Sequence, residues 1–310
     1  MLLKNSGVGC WIGPHYYGIQ CYADDCALLS PDLAGLQKMM DICKKYFDNH
    51  KISISTNIDL KKSKTKCIAF GTKATLAPIK LKEEGIPFYA QKQLPWVDTW
   101  PHLGHCFHED KSPDHDLLQR RGQFIGKLHS LRQEFGDKDP IVYTNLVSIY
   151  LSSFYGSNLW NLFDDAAEKL YKSWNIMVRY TFDIPRTTHK YLITPVSQNS
   201  HLKEKLVQRF LKFYQTLKTC DKPHRKYLMK LQESDYRSVF GSNVNSITAE
   251  ASAEDISEVL RSDISYAPVP PDEEWRIPLL LELLEIRAGR LDSPLSSKEV
   301  EDIIDIVTST

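Results

Sequence analysis

The chain has 310 residues, 42% of them hydrophobic and 25% charged, and its 39 basic and 39 acidic side chains cancel. That length buries a sizeable core and has room for two domains, whereas no apolar run approaches the length that spans a bilayer. Met1-Leu2-Leu3-Lys4 opens no secretory leader, and seven Cys without regular spacing argue against a disulfide framework. An intracellular protein of the nucleus or cytoplasm, with idle thiols, is the expectation.

The first 21 residues contain no Asp or Glu, and Gly7, Gly9, Trp11, Gly13 and Gly18 read as a loop. Two short apolar runs follow, Ile19-Gln20-Cys21-Tyr22 and Cys26-Ala27-Leu28-Leu29, with Ala23-Asp24-Asp25 between them. Asp is poor inside a strand and good at a turn, so the runs predict a β-hairpin with both carboxylates at its tip. Hard oxygen ligands of that kind suit Mg²⁺ or Mn²⁺, which bind through one or two carboxylates plus waters and substrate phosphates. A solvated turn explains Asp24 and Asp25 equally well until the flanks are considered.

Ser30-Pro31-Asp32 reads as a helix start, with Ser30 as the capping hydroxyl, and Leu33, Leu36, Met40, Cys43 and Phe47 recur at helical spacing to about residue 50. Alternation over 51–56 predicts a strand, 57–62 a polar turn, and 66–70 a second strand closed by Gly71. Residues 79–81 and 86–89 suggest further strands. Trp96, Trp100, Leu103 and Phe107 form an aromatic patch around Leu103-Gly104-His105.

From Asp116 the spacing turns helical. Helices are predicted over 117–131, from Asp139-Pro140 to Tyr150, around Leu170, Trp174, Met177 and Tyr180, and over 206–217. A loop rich in Ser, Asn and Ala is expected at 241–253. Two acidic helices follow, one near 274–289 and one from a Ser296-x-x-Glu299 capping box to Val307. The zero net charge hides an asymmetry: residues 1–135 sum to +4, 136–230 to +7 and 231–310 to −11. Residues 186–230 hold 11 basic side chains against Glu204 and Asp221, interleaved with Tyr191, Phe210, Phe213 and Tyr214. That pattern suits a surface tracking phosphates, as it suits a solvated helical face, and the acidic end is expected to point away from any nucleic acid.

The hairpin, the helix after it and Lys64-Thr65-Lys66-Cys67-Ile68-Ala69-Phe70-Gly71 together resemble the palm of non-LTR (LINE-type) retrotransposon reverse transcriptases. Trp100 with Leu103-Gly104 resembles that family's primer-grip block. Trp174-Asn175, Pro185, Thr188-His189, His201 and Arg209-Phe210-Leu211-Lys212-Phe213 resemble the helical region after the palm. The likeness covers residues 1 to about 230.

It implies an α+β fold: a truncated palm over 1–115 and a basic, thumb-like helical region over 116–230; residues 231–310, read from charge and spacing as an acidic helical region, have no assigned role. It implies RNA-directed DNA polymerase chemistry, a nucleotidyl transfer with two metal ions, on an RNA template, a DNA primer and deoxynucleoside triphosphates, with no membrane. Asp24 would be a metal ligand and Asp25 a weaker acid beside it. Tyr22 would lie near the primer end, and Lys64 near the departing pyrophosphate. Leu103, Gly104 and His105 would hold the primer, and Arg186, Lys190, Lys205, Arg209, Lys212 and Arg225 would grip nucleic acid. The family also takes an earlier Asp from upstream of the hairpin. The chain is therefore expected to begin in mid-palm and to be inactive unless completed by the missing N-terminal half; the alternative is a non-catalytic RNA- or DNA-binding remnant. Two zinc sets stand beside this: His102, His105, Cys106, His108 and His115, and Cys220 and His224 with His201 or His189.

Overall fold

A computed structural model describes residues 2–56, 62–71, 82–83, 85–136, 139–235, 237–250 and 270–309. They belong to two compact units, Met1–Asp116 and Leu117–Thr310.

The first unit is mixed α and β. Among the described residues it holds the short helix α1 (Leu2–Asn5), the longer helix α2 (Leu33–Asn49), and four separate antiparallel hairpins. These are β1–β2 (Trp11–Ile12 with His15–Tyr16), β3–β4 (Ile19–Tyr22 with Asp25–Leu28), β5–β6 (Phe88–Tyr89 with Lys92–Gln93) and β7–β8 (Thr99–His102 with His105–His108). The base of β3–β4 is tied to its predecessor, because Cys10 N–H donates to Leu29 O at 2.9 Å and Leu29 N–H to Gly18 O at 2.8 Å. Gly18 leaves room for Tyr16: a Cβ there would stand 2.3 Å from the Tyr16 hydroxyl.

Helix α2 supplies the apolar mass. Met39 and Cys43 bury against Leu3, Val8, Ile19 and Leu28 on one side, while Met40 joins Cys67, Tyr89 and Leu94. Its N-cap is Asp32, whose carboxylate accepts from Gly35 N–H at 2.6 Å, and not the expected Ser30. Gln37 then completes the edge of β5, donating to Phe88 O and accepting from Phe88 N–H, both at 2.9 Å.

Two sequence expectations fail here. Residues 51–56 and 66–70 are not strands; they hold together through Thr65 N–H to Ser55 O (3.3 Å) and one parallel bridge, Cys67 to Trp96. A half-apolar alternation satisfies a strand only when a neighbour is in register along its length, and here each contact is one residue long. The expected turn at 57–62 and strand at 79–81 lie largely or wholly outside the described residues.

The second unit is helical. Helix α3 (Asp114–Phe135) leads into it, followed by α4 (Pro140–Tyr150), α5 (Asp165–Thr181), α6 (Lys190–Ser197), α7 (Leu202–Lys218), α8 (Pro223–Ser234), α9 (Val239–Glu250), α10 (Arg276–Arg287) and α11 (Ser297–Thr308). Trp160, Tyr171, Trp174 and Phe210 are fully buried at its centre. Helix α7 shows why it packs: Leu202, Leu206, Val207, Phe210 and Leu211 form one buried stripe. Ile247, Leu280, Leu283, Val300 and Ile304 join the same core, so the acidic stretch shares it with the basic one. Helix α9 stands over 241–250 where a loop was expected at 241–253, the last three positions lying outside the described residues; Asn243 donates to Trp160 O at 2.8 Å and accepts from Leu162 N–H at 2.9 Å. Among the described residues, no helix is long and apolar enough to cross a membrane.

Candidate functional site

Tyr22 pairs with Asp25 to close the β3–β4 hairpin, leaving Ala23 and Asp24 as its two-residue tip. Ala23 has φ +52°, a left-handed conformation that a non-glycine residue adopts at a cost. Side chains alternate across the strands. Ile19, Cys21, Cys26 and Leu28 share the face toward α2, while Gln20, Tyr22, Asp25 and Ala27 share the other. Asp24, Asp25 and Tyr22 are all exposed, Tyr22 to 71%.

Cys21 and Cys26 stand opposite one another, with Cα atoms 4.2 Å apart, and are joined by a disulfide. Idle thiols were expected throughout; Cys10, Cys43, Cys67, Cys106 and Cys220 are free, and these two are not. The bridge closes a short loop, so its entropic constraint on the unfolded chain is modest, about 2 kcal/mol.

The donor set fits one hard divalent cation. Two exposed carboxylates on one turn leave space for the waters and phosphate oxygens that Mg²⁺ keeps. A second ion needs ligands of its own. Among the described residues, the one trio of His, Cys, Asp or Glu with converging donor atoms lies elsewhere, so Asp24 and Asp25 have no third partner.

Lys64 is exposed, in a bend beside buried Ser63, whose hydroxyl donates to Thr65 O at 2.8 Å. Leu103 and Gly104 form the tip of β7–β8, both at positive φ (+48° and +79°). His105 does not project freely from that tip. Its Nδ1 lies 3.2 Å from Oδ2 of buried Asp116, whose Oδ1 accepts from Cys106 N–H at 2.9 Å. Trp100 stacks on His102 with centroids 4.5 Å apart and pairs with Phe107, giving this hairpin an aromatic face.

In the second unit, Arg186, Lys190, Lys212 and Arg225 are exposed. Arg209 is half-buried, and its guanidinium donates to the carbonyls of Ser152 (3.0 Å) and Ser153. Lys205 reaches Ser148 Oγ at 2.8 Å and lies 5.3 Å from the centre of the Trp174 ring. Three of the four interleaved aromatics are also engaged. Phe210 is core, the Tyr191 hydroxyl donates to Glu273, and the Tyr214 hydroxyl donates to Glu233. Parts of the acidic stretch thus lie against the basic block.

Strand alternation separates the first expected zinc set. His102 and His105 share the aromatic face of β7–β8; His108 is on the other, with Cys106. His108 instead meets Asp110, a residue missing from the sequence reading, and His115. The spacing His-x-Asp-x₄-His marks this trio in the sequence, had carboxylates been counted with the imidazoles. Burial opposes ionisation of Asp110, but the Ser112 N–H and the two imidazoles outweigh it and hold the carboxyl at about 2. Among the described residues, Cys220, His224, His201 and His189 form no such group.

Compared with family models, with curated proteins and with solved structures, the chain matches none of them.

Proposed function

We propose that the chain is the C-terminal part of a LINE-type reverse transcriptase, its first unit a partial palm and its second a thumb-like grip on template–primer duplex. The observation that carries this reading is the carboxylate pair of Tyr22-Ala23-Asp24-Asp25 at an exposed hairpin tip, backed by a helix that packs on the opposite face. A lone solvated turn needs neither the second carboxylate nor the exposed aromatic beside it.

Asp24 and Asp25 would hold one Mg²⁺ or Mn²⁺ ion, which, when bound, supplies Lewis-acid stabilisation of phosphoryl charge. The Tyr22 ring offers a stacking surface to a nucleotide base. Lys64 offers a cation for pyrophosphate. The Leu103-Gly104 tip presents backbone groups to a primer strand. Two carboxylates cannot serve two ions, so transfer requires a further acid from outside the described residues.

Two measurements test this. Mn²⁺ titrated into the labelled protein broadens the amide resonances of Tyr22, Asp24 and Asp25, and Asp24→Asn with Asp25→Asn abolishes the effect. Primer extension by the chain alone is absent. Extension that is lost on Asp24→Asn would show that the site is complete, against this account. The lack of a third ligand favours a second reading, a non-catalytic RNA- or DNA-binding remnant; Mn²⁺ broadening unchanged by the double substitution would leave only that one.

A further inference from the structure

The strongest unassigned feature is the turn that joins β8 to α3. His108 ends β8, His115 lies in the first turn of α3, and Asp110 sits between them. Each oxygen of the Asp110 carboxylate faces a different ring: Oδ1 is 2.8 Å from His108 Nδ1, and Oδ2 is 3.1 Å from His115 Nε2. The two imidazoles stack at 3.7 Å with a 15° tilt. One donor atom from each residue lies within 4.8 Å of the other two.

The chain itself orients this carboxylate. Ser112 N–H donates to Asp110 Oδ1 at 2.8 Å, and Lys111 N–H to His108 O at 3.0 Å, with Lys111 in the left-handed region at φ +64°. Such outer contacts fix a ligand before an ion arrives. The nearby cation, Lys82, is occupied by Asp98 and Glu109 at 2.7 Å each and does not neutralise Asp110.

From this we infer that His108, Asp110 and His115 form a binding site for a single divalent transition-metal ion, with Zn²⁺ the best fit. Two imidazoles and one carboxylate are borderline ligands that select Zn²⁺, Ni²⁺ or Cu²⁺ over Mg²⁺ or Ca²⁺. Imidazole-to-carboxylate separations of 2.8 and 3.1 Å are hydrogen-bond distances, and the donors need move apart only to the roughly 3.3–3.4 Å that separates ligands in a tetrahedral shell with bonds of about 2.0–2.1 Å. Three protein ligands leave a fourth position for water. Stacked rings keep their lone pairs in two nearly parallel planes, so His115, 41% exposed, tilts to share the ion while β8 holds His108. A cation at a helix N-terminus meets the positive end of the dipole; Asp114, in the same first turn, and Asp110 offset that. The ion would clip the end of β8 to the start of α3. This inference does not depend on the polymerase reading.

The test is titration of the full chain with Zn²⁺ alone in a calorimeter, and with Co²⁺ followed by its visible spectrum. One equivalent binds, excess Mg²⁺ does not displace it, and the Co²⁺ spectrum shows a low-coordinate ion without thiolate charge transfer. His115→Ala and Asp110→Asn each weaken binding by about 10–100-fold, whereas His102→Ala leaves it unchanged. His115 is exposed enough for its variant to fold, which circular dichroism checks. No stoichiometric binding, affinity unaltered in His115→Ala, or a thiolate band from the free cysteines would overturn the assignment.

Discussion

His201 caps α7 with an imidazole where a hydroxyl or carboxylate is usual. Its Nδ1 accepts from Lys203 N–H at 3.3 Å, while Glu204 accepts from His201 N–H at 3.2 Å, completing a capping box. Burial, with Lys190 and Lys203 nearby, pushes its pKa from 6.5 down to about 4. An acceptor in this position must stay neutral. A folded-state pKa below the unfolded one means that stability is full above 6.5 and lost as pH falls toward 4. Denaturant melts should therefore show stability falling by about 3 kcal/mol across that window, less whatever other groups contribute. His201→Asn keeps a cap without a titrating ring and flattens the profile; an unchanged slope would contradict this. The pair Asp24-Asp25 was legible at the same scale, because acids between two apolar runs are turn residues. The Cys21–Cys26 bridge was not, since pairing across a hairpin depends on register, which cysteine spacing does not report.

Among elements, those with a strong local cause were readable and those fixed by tertiary contacts were not. Asp139-Pro140 starts α4 as expected, with Asp139 accepting from Ile141 N–H at 2.8 Å, and the Ser296–Glu299 box starts α11. Helices α6, α8 and α9 went unread. In α9, Phe240, Val244 and Ile247 do follow helical spacing, yet Ser242, Asn243, Asn245 and Ser246 dominate the composition and suggest a loop. What decides the matter is Asn243, wholly buried and hydrogen-bonded to the backbone of Trp160 and Leu162. Asn243→Ala takes the side-chain acceptor from the buried Leu162 N–H, a loss of about 1–3 kcal/mol that should appear as lowered stability in urea melts. A loss below about 0.5 kcal/mol would mean that α9 holds without that bridge.

For the whole molecule, charge by segment proved more informative than net charge, but less so than the sequence alone suggested. The +9 of residues 186–230 is real as composition, yet Arg209 and Lys205 spend their donors on the second unit's own groups, and Glu233 and Glu273 lie against the block. Sequence distance concealed this: Glu273 meets Tyr191 across 82 positions. Of the six cations expected to grip nucleic acid, Arg186, Lys190, Lys212 and Arg225 stay exposed for phosphates. The central claim, that this unit grips duplex, is therefore tested most directly by fluorescence anisotropy of the full chain on an RNA–DNA heteroduplex across a salt series. Binding should weaken along a straight line of log affinity against log salt, with a slope of about −3 to −4 if these four cations each meet a phosphate. Neutralising Lys212 and Arg225 together should reduce that slope by nearly 2 without altering the melting transition. No binding at low salt, or a slope untouched by the double variant, would contradict the account.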